Sequence, residues 1–263
     1  MKYYFTTLAV NEFYFQKSLE MHLKLNEKTQ NALFNITTTK KDLEKLETLV
    51  GLTIDDFYVK YPKIKITTIE DLNKRFNFPL EMEGQGFIFN LNLKSLSIKA
   101  CLISKENFDF LIFTDGDWGI YDGFDESKFI RFFDEMNKNN LDFVFERPAK
   151  IGDFRKNNFQ DCFFTEKLHD YDLMDNTIWD EAEVVNEQFL AFKNNTKLKT
   201  FSQKWEQMLW YSIANNIRNY PDGFEIGVAA LESKMKYDFH LYKLLNECFY
   251  FYPKYSETKH IRF

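Results

Sequence analysis

Two carboxylates, Asp115 and Asp117, stand one glycine apart at the end of the apolar run Phe108-Asp109-Phe110-Leu111-Ile112-Phe113-Thr114. The run is short, rich in Phe and Ile and bounded by polar residues, which predicts a buried strand, not a membrane span. Its carboxyl end is where open α/β sheets place their ligands. Gly116 permits a tight turn there, so both carboxylates can approach one point in space. Close carboxylates repel each other unless a proton or a cation intervenes. A hard divalent cation, bound through oxygen and shared with a phosphate, matches that demand.

The flanking pattern supplies elements to hold such a turn. Lys2 to Val10 reads as a first strand, and Asn11 as the cap of a helix whose apolar positions Phe15, Leu19, His22 and Leu23 share one face. Asn31 to Thr38 and Lys63 to Thr68 read as further strands; between them a helix opens at Thr39 and stops at Gly51. Asn92 to Ser104 reads as a helix feeding the motif strand. Beyond the aspartates follow a helix after Asp125 and a strand over 141–146. This alternation predicts a mostly parallel sheet covered by helices, with a nucleotide-binding half over residues 1–150. Residues 150–183 are polar and irregular, the composition of an active-site loop or lid. The second half, 151–263, resumes with a strand over 184–192, a long helix over 203–219, a turn at Pro221-Asp222-Gly223, a helix over 225–236 and a last strand over 249–252.

Composition narrows the class. The chain has 263 residues, enough for one large domain, and its 44 % hydrophobic content argues against disorder. A net charge of −6 gives no footprint for a polyanion, so nucleic acid is disfavoured as a partner. Cys101, Cys162 and Cys248 lie far apart without metal-ligand spacing, as reduced thiols in a cytoplasmic protein do. The amino terminus lacks the form of a signal peptide. No apolar segment reaches the ~20 residues of a membrane span, which leaves peripheral membrane association open. Gly-X-Gly-X-X-Gly and Walker signatures are absent, disfavouring an NAD-binding domain and a P-loop.

A hydrophobic strand running into Thr114-Asp115-Gly116-Asp117 resembles the Asp-X-Asp motif of glycosyltransferases with the GT-A fold. The resemblance implies an α/β fold, a GT-A-like, Rossmann-type mixed sheet flanked by helices, forming one continuous domain with a carboxyl-terminal acceptor-binding half. It implies Mn²⁺ or Mg²⁺ as cofactor, bound at Asp115 and Asp117, and a nucleotide-sugar donor, a UDP-sugar first among them. It also implies transfer to a hydroxyl acceptor, such as a surface glycan or another glycoconjugate. The stereochemical outcome stays open.

The same resemblance assigns roles along the chain. Thr6, Thr7 and Ala9, at the end of the first strand, correspond to the donor-binding entrance of this fold. Lys94 and Lys99 lie on the helix before the motif strand, where several such families carry a basic residue that reaches the donor phosphates or the motif aspartates; Lys99 is the choice made from the sequence. Glu187 falls where related transferases carry an Asn-Ser-Gly-like turn, and Glu206 where a carboxylate faces the donor sugar. Both are candidate catalytic groups. His260, flanked by Lys259 and Arg262, corresponds to a histidine near the carboxyl terminus that completes the metal shell. The alternatives are a metal-dependent nucleotidyltransferase, a glycosyltransferase acting on modified DNA bases, and a non-enzymatic binding module with solvated aspartates.

Overall fold

The computed structural model describes residues 1–76, 93–146, 180–214, 222–245 and 248–251. Among the described residues, seven strands form one sheet in the order β3-β2-β1-β4-β7-β6-β8. They are β1 (Tyr3–Ala9), β2 (Ala32–Thr38), β3 (Ile64–Thr68), β4 (Phe110–Asp115), β6 (Phe143–Glu146), β7 (Asn186–Lys193) and β8 (Tyr237–Asp238). The strands β1 to β4 are mutually parallel, and β7 runs against both β4 and β6. A separate two-stranded ribbon pairs β5 (Trp118–Ile120) with β9 (Phe249–Phe251). The sheet is thus mixed and α/β in class, as the sequence predicts. Because β7 lies between β4 and β6, residues from both halves of the chain build a single sheet.

Helices cover both faces. On one lie α1 (Glu12–Lys28) and α7 (Glu126–Lys138), which bury Phe15, Leu19, Leu25, Phe129, Phe132 and Phe133 against Tyr3, Phe5, Phe34, Phe110 and Ile112. On the other lie α6 (Lys94–Leu102), α8 (Thr196–Ala214) and α9 (Asp222–Glu232), packed on Tyr4, Leu111, Phe113, Phe143 and Phe192. The phenylalanine-rich composition therefore serves the core. Phe110 stacks on Phe133 at 4.4 Å between centroids, and Phe143 on Phe192 at 4.5 Å. Each such ring contributes roughly 1.5–3 kcal/mol through burial, and a favourable pair about 1 kcal/mol more.

Local signals place the helix starts. The Asn11 side chain accepts from the Tyr14 amide, Thr39 from Asp42 and Asp125 from Ser127, while Gly51 ends its helix in the left-handed conformation at φ 67°. Other boundaries differ from expectation. The single helix expected after Thr39 is split into α2 (Lys40–Leu43) and α3 (Leu46–Val50), and α4 (Ile54–Lys60) and α5 (Ile69–Phe76), of 7 and 8 residues, are too short for their apolar spacing to stand out. The long helix begins at Thr196, seven residues earlier than read, because Asn195 Oδ1 accepts from the Lys197 and Leu198 amides and caps it. Gly223, read as a turn, lies in the first turn of α9. Among the described residues, no helix is long and apolar enough to cross a membrane. The expected lid lies outside the described residues up to 179.

His22 shows how far the α1 face is sealed. It is fully buried, its Nδ1 lies 2.7 Å from the Ser18 carbonyl oxygen, and the ring sits edge-on to Phe5 and Phe34. Burial pushes its pKa down to about 4, so the unfolded chain takes up a proton more readily than the folded one below the ordinary value of about 6.5. Stability is unaffected by His22 above that value and falls as the pH drops toward 4, by about 2 kcal/mol at pH 5. Urea unfolding at pH 7.5 and pH 5 should show the wild type losing that much more than His22→Leu. Equal losses in both would mean that the ring accepts its proton without penalty.

Candidate active site

The strand order reverses direction at β1, with β2 on one side and β4 on the other, and ligands of open α/β sheets bind in the crevice this creates at the carboxyl ends. Leu8 of β1 stands opposite Asp115 of β4 in the register. The Asp-Gly-Asp turn is therefore at the crevice. It is also pressed inward. A β-carbon on Gly116 would lie 2.8 Å from the Leu8 carbonyl oxygen and 3.1 Å from Ser18 Oγ, and the Ser18 hydroxyl donates to the Gly116 carbonyl. No side chain fits between β1, α1 and the turn, so glycine is a steric requirement at 116.

Asp115 and Asp117 are both half-buried. Lys94, the first residue of α6, reaches Asp115 with its ammonium 3.1 Å from Oδ1, and its side chain is only 5 % exposed. Burial pushes the Asp117 carboxyl above the usual carboxylate range, opposed by its own backbone amide and by the positive field of Lys94. One buried cation thus acts on both motif carboxylates. The basic residue that meets the motif is Lys94, not Lys99 as chosen from the sequence. Helix phase decides between them: Lys94 opens α6 at the crevice, whereas Lys99 lies more than a turn further along.

Lys99 instead makes an ion pair with Glu206 of α8, both side chains about one-fifth exposed or less. Two residues picked separately as cofactor-binding and catalytic groups are therefore partners of each other, joining α6 to α8. The hydroxyl of Thr6 is consumed as well. It donates to the Ser97 carbonyl and accepts from Asn35 Nδ2, which also donates to Thr37, while Thr67 donates to Asn35 Oδ1. Thr7 and Ala9 are fully buried; the Thr7 carbonyl accepts from Ser97 and the Ala9 carbonyl from Thr38. These three residues build the floor behind the crevice and present no side chain to solvent.

Glu187 is the second residue of β7, and its side chain lies outside those described. Its backbone sits in a bulge. Phe145 pairs with Leu190 but Glu146 with Asn186, so residues 187–189 have no opposite number on β6. Phe189 in turn pairs with Thr114, which places the bulge beside the end of β4; bulges of this kind re-aim side chains at sheet rims. His260 lies outside the described residues.

Glu225 is a polar residue that no sequence pattern singles out. It is fully buried on α9 and accepts from Trp205 Nε1 at 3.2 Å. Next to it the chain before β7 lies directly on the helix. A β-carbon on Gly223 would come within 2.1 Å of the Val185 carbonyl oxygen, and one on Gly227 within 1.7 Å of that of Glu183. Gly223 and Gly227, four residues apart in one helix, are the sequence signal for this close approach.

Among the described residues, no group of three or more His, Cys, Asp or Glu is gathered to hold a metal ion. Asp115 and Asp117 offer hard oxygen donors, and a divalent cation held by them would take its remaining ligands from water or a substrate phosphate.

No protein-family model matches the chain, and no curated protein matches its sequence. Among solved structures, the crystal structure of mouse xyloside xylosyltransferase 1 in its apo form aligns with a TM-score of 0.48 at 11 % identity, covering 90 % of this chain and 84 % of that one. At that identity and TM-score no residue role passes from one chain to the other.

Proposed function

We propose that this chain is a glycosyltransferase that moves a sugar from a nucleotide-sugar donor, a UDP-sugar, to a hydroxyl acceptor. The observation that carries the reading is the buried Lys94–Asp115 pair at the reversal point of a mixed α/β sheet, with Asp117 one residue beyond the required Gly116. Breaking a glycosidic bond to a nucleoside diphosphate leaves negative charge on the departing phosphates, and fixed cations in a water-poor crevice stabilise that charge most effectively. Lys94 is such a cation. Asp115 and Asp117 would hold Mn²⁺ or Mg²⁺, with His260 carried into the shell from the sequence resemblance. A divalent ion bound there supplies Lewis-acid stabilisation of the leaving diphosphate. The bulge at 187–189 puts Glu187 on the rim beside β4, where it would meet the sugar or the acceptor. Glu206 holds Lys99 and acts through the packing of α6, which in turn carries Lys94.

Three substitutions at two positions test this reading. Calorimetric titration with UDP in Mn²⁺ should show Asp117→Asn weakening binding at least about tenfold, roughly 1.4 kcal/mol. Metal-dependent binding at wild-type strength in that variant would remove the metal from Asp117. Lys94→Met should strip Asp115 of its buried partner and lower both donor affinity and stability. The stability loss should be about 1–3 kcal/mol, less than for a fully enclosed pair because the Asp115 side chain is 21 % exposed. Lys94→Arg should recover stability more than affinity, since a guanidinium keeps the charge but not the point-like ammonium geometry. A Lys94→Met protein with unchanged UDP affinity would confine Lys94 to a structural role.

A further inference from the structure

At the opposite end of the sheet from Asp115 lies a groove that the transfer reaction does not use. Leu141, just ahead of β6, and Tyr237 and Asp238, which pair with the first two residues of β6, help to line a cavity of about 680 Å³. One wall is the stripe Arg131, Glu135 and Asn139, spaced four apart along and just past α7. The other is the 3-10 turn Leu241–Leu245 with His240 before it. Half-buried Tyr237, Leu241 and Leu244 give an otherwise polar cavity a patch of apolar lining.

The charges in this groove are unevenly spent. Glu135 is taken up by Lys138, Asp238 accepts from the Leu241 amide, and the Lys236 ammonium donates to the Asn139 carbonyl. Arg131 on one wall and Lys243 on the other are exposed, and neither side chain has a hydrogen bond or an ion pair among the described residues. They leave one cationic side chain on each wall of the cavity, in a chain whose net charge is −6. Guanidinium and ammonium groups converging on one space favour a multiply charged oxyanion, and phosphate takes both the forked and the point-like donor. The volume is that of a small-molecule site, too large for an inorganic ion alone. We propose that this groove binds an organic phosphate, its phosphate held between Arg131 and Lys243 and its body laid against Tyr237 and Leu244.

This site is independent of the transfer site, and the test keeps them apart. Glucose 1-phosphate is titrated by calorimetry, without divalent metal and at fixed ionic strength, into the wild type, the double variant Arg131→Ala/Lys243→Ala, and Asp117→Asn. Both altered groove residues are exposed, so the double variant should keep the wild-type melting temperature. Binding should weaken at least tenfold in the groove variant and stay at the wild-type level in Asp117→Asn. Absence of binding to the wild type, or equal affinity in wild type and groove variant, would overturn the proposal. So would a loss in Asp117→Asn alone, which would put the ligand in the crevice.

Discussion

An ammonium and a carboxylate taken out of water together set the geometry around the crevice. Asp115 ends a strand whose other residues are buried, and an ionised carboxylate there is costly unless a cation accompanies it. Lys94 meets that requirement only because α6 begins at the crevice. The position of α6 is fixed in turn by Leu93, Leu96 and Ala100, which pack with Ile69 and Leu72, and by Ser97, which donates to the Thr7 carbonyl and accepts from Thr6. The pair therefore ties the motif strand, the first strand and the helix before the motif into one arrangement. Gly116 completes it, since any side chain would force the turn away from Leu8 and Ser18.

Behind the crevice the sheet carries polar side chains where a core would ordinarily be apolar. Thr6, Asn35, Thr37 and Thr67 bond one another across β1, β2 and β3. Buried polar groups are tolerated when satisfied, and a satisfied network rigidifies the strands that carry it. Its consequence here is a firm platform under the ends of β1 and β2. The hydroxyl of Thr6, which in isolation looks like a ligand for a base, is committed to that platform.

The α8–α9 layer solves a different problem, anchoring the chain as it enters β7. Gly223 and Gly227 remove the side chains that would keep residues 183–185 off α9, and the Val185 amide donates to the Gly223 carbonyl. The chain then enters β7 at Asn186 and bulges before Phe189 meets Thr114. Close helix contact upstream and an irregular register downstream together set how the rim beside Asp115 is presented.

The sequence by itself determined the α/β class, the strands β1 to β4, the amphipathic faces of α1 and α7, and the location of the Asp-Gly-Asp turn. These follow from periodicity, capping residues and the break between an apolar run and a glycine, all of which are local. Tertiary structure alone decided which lysine meets the motif, that Lys99 and Glu206 are spent on each other, that the Thr6 hydroxyl faces inward, and that Glu225 is buried. It also decided the antiparallel insertion of β7, because an apolar strand pattern does not record the direction in which the strand will run. The physical reason is common to all of them. Each depends on contacts between residues 20 to 107 positions apart or on neighbouring strands, and side-chain type and spacing carry no record of which distant partner a charge or hydroxyl will find.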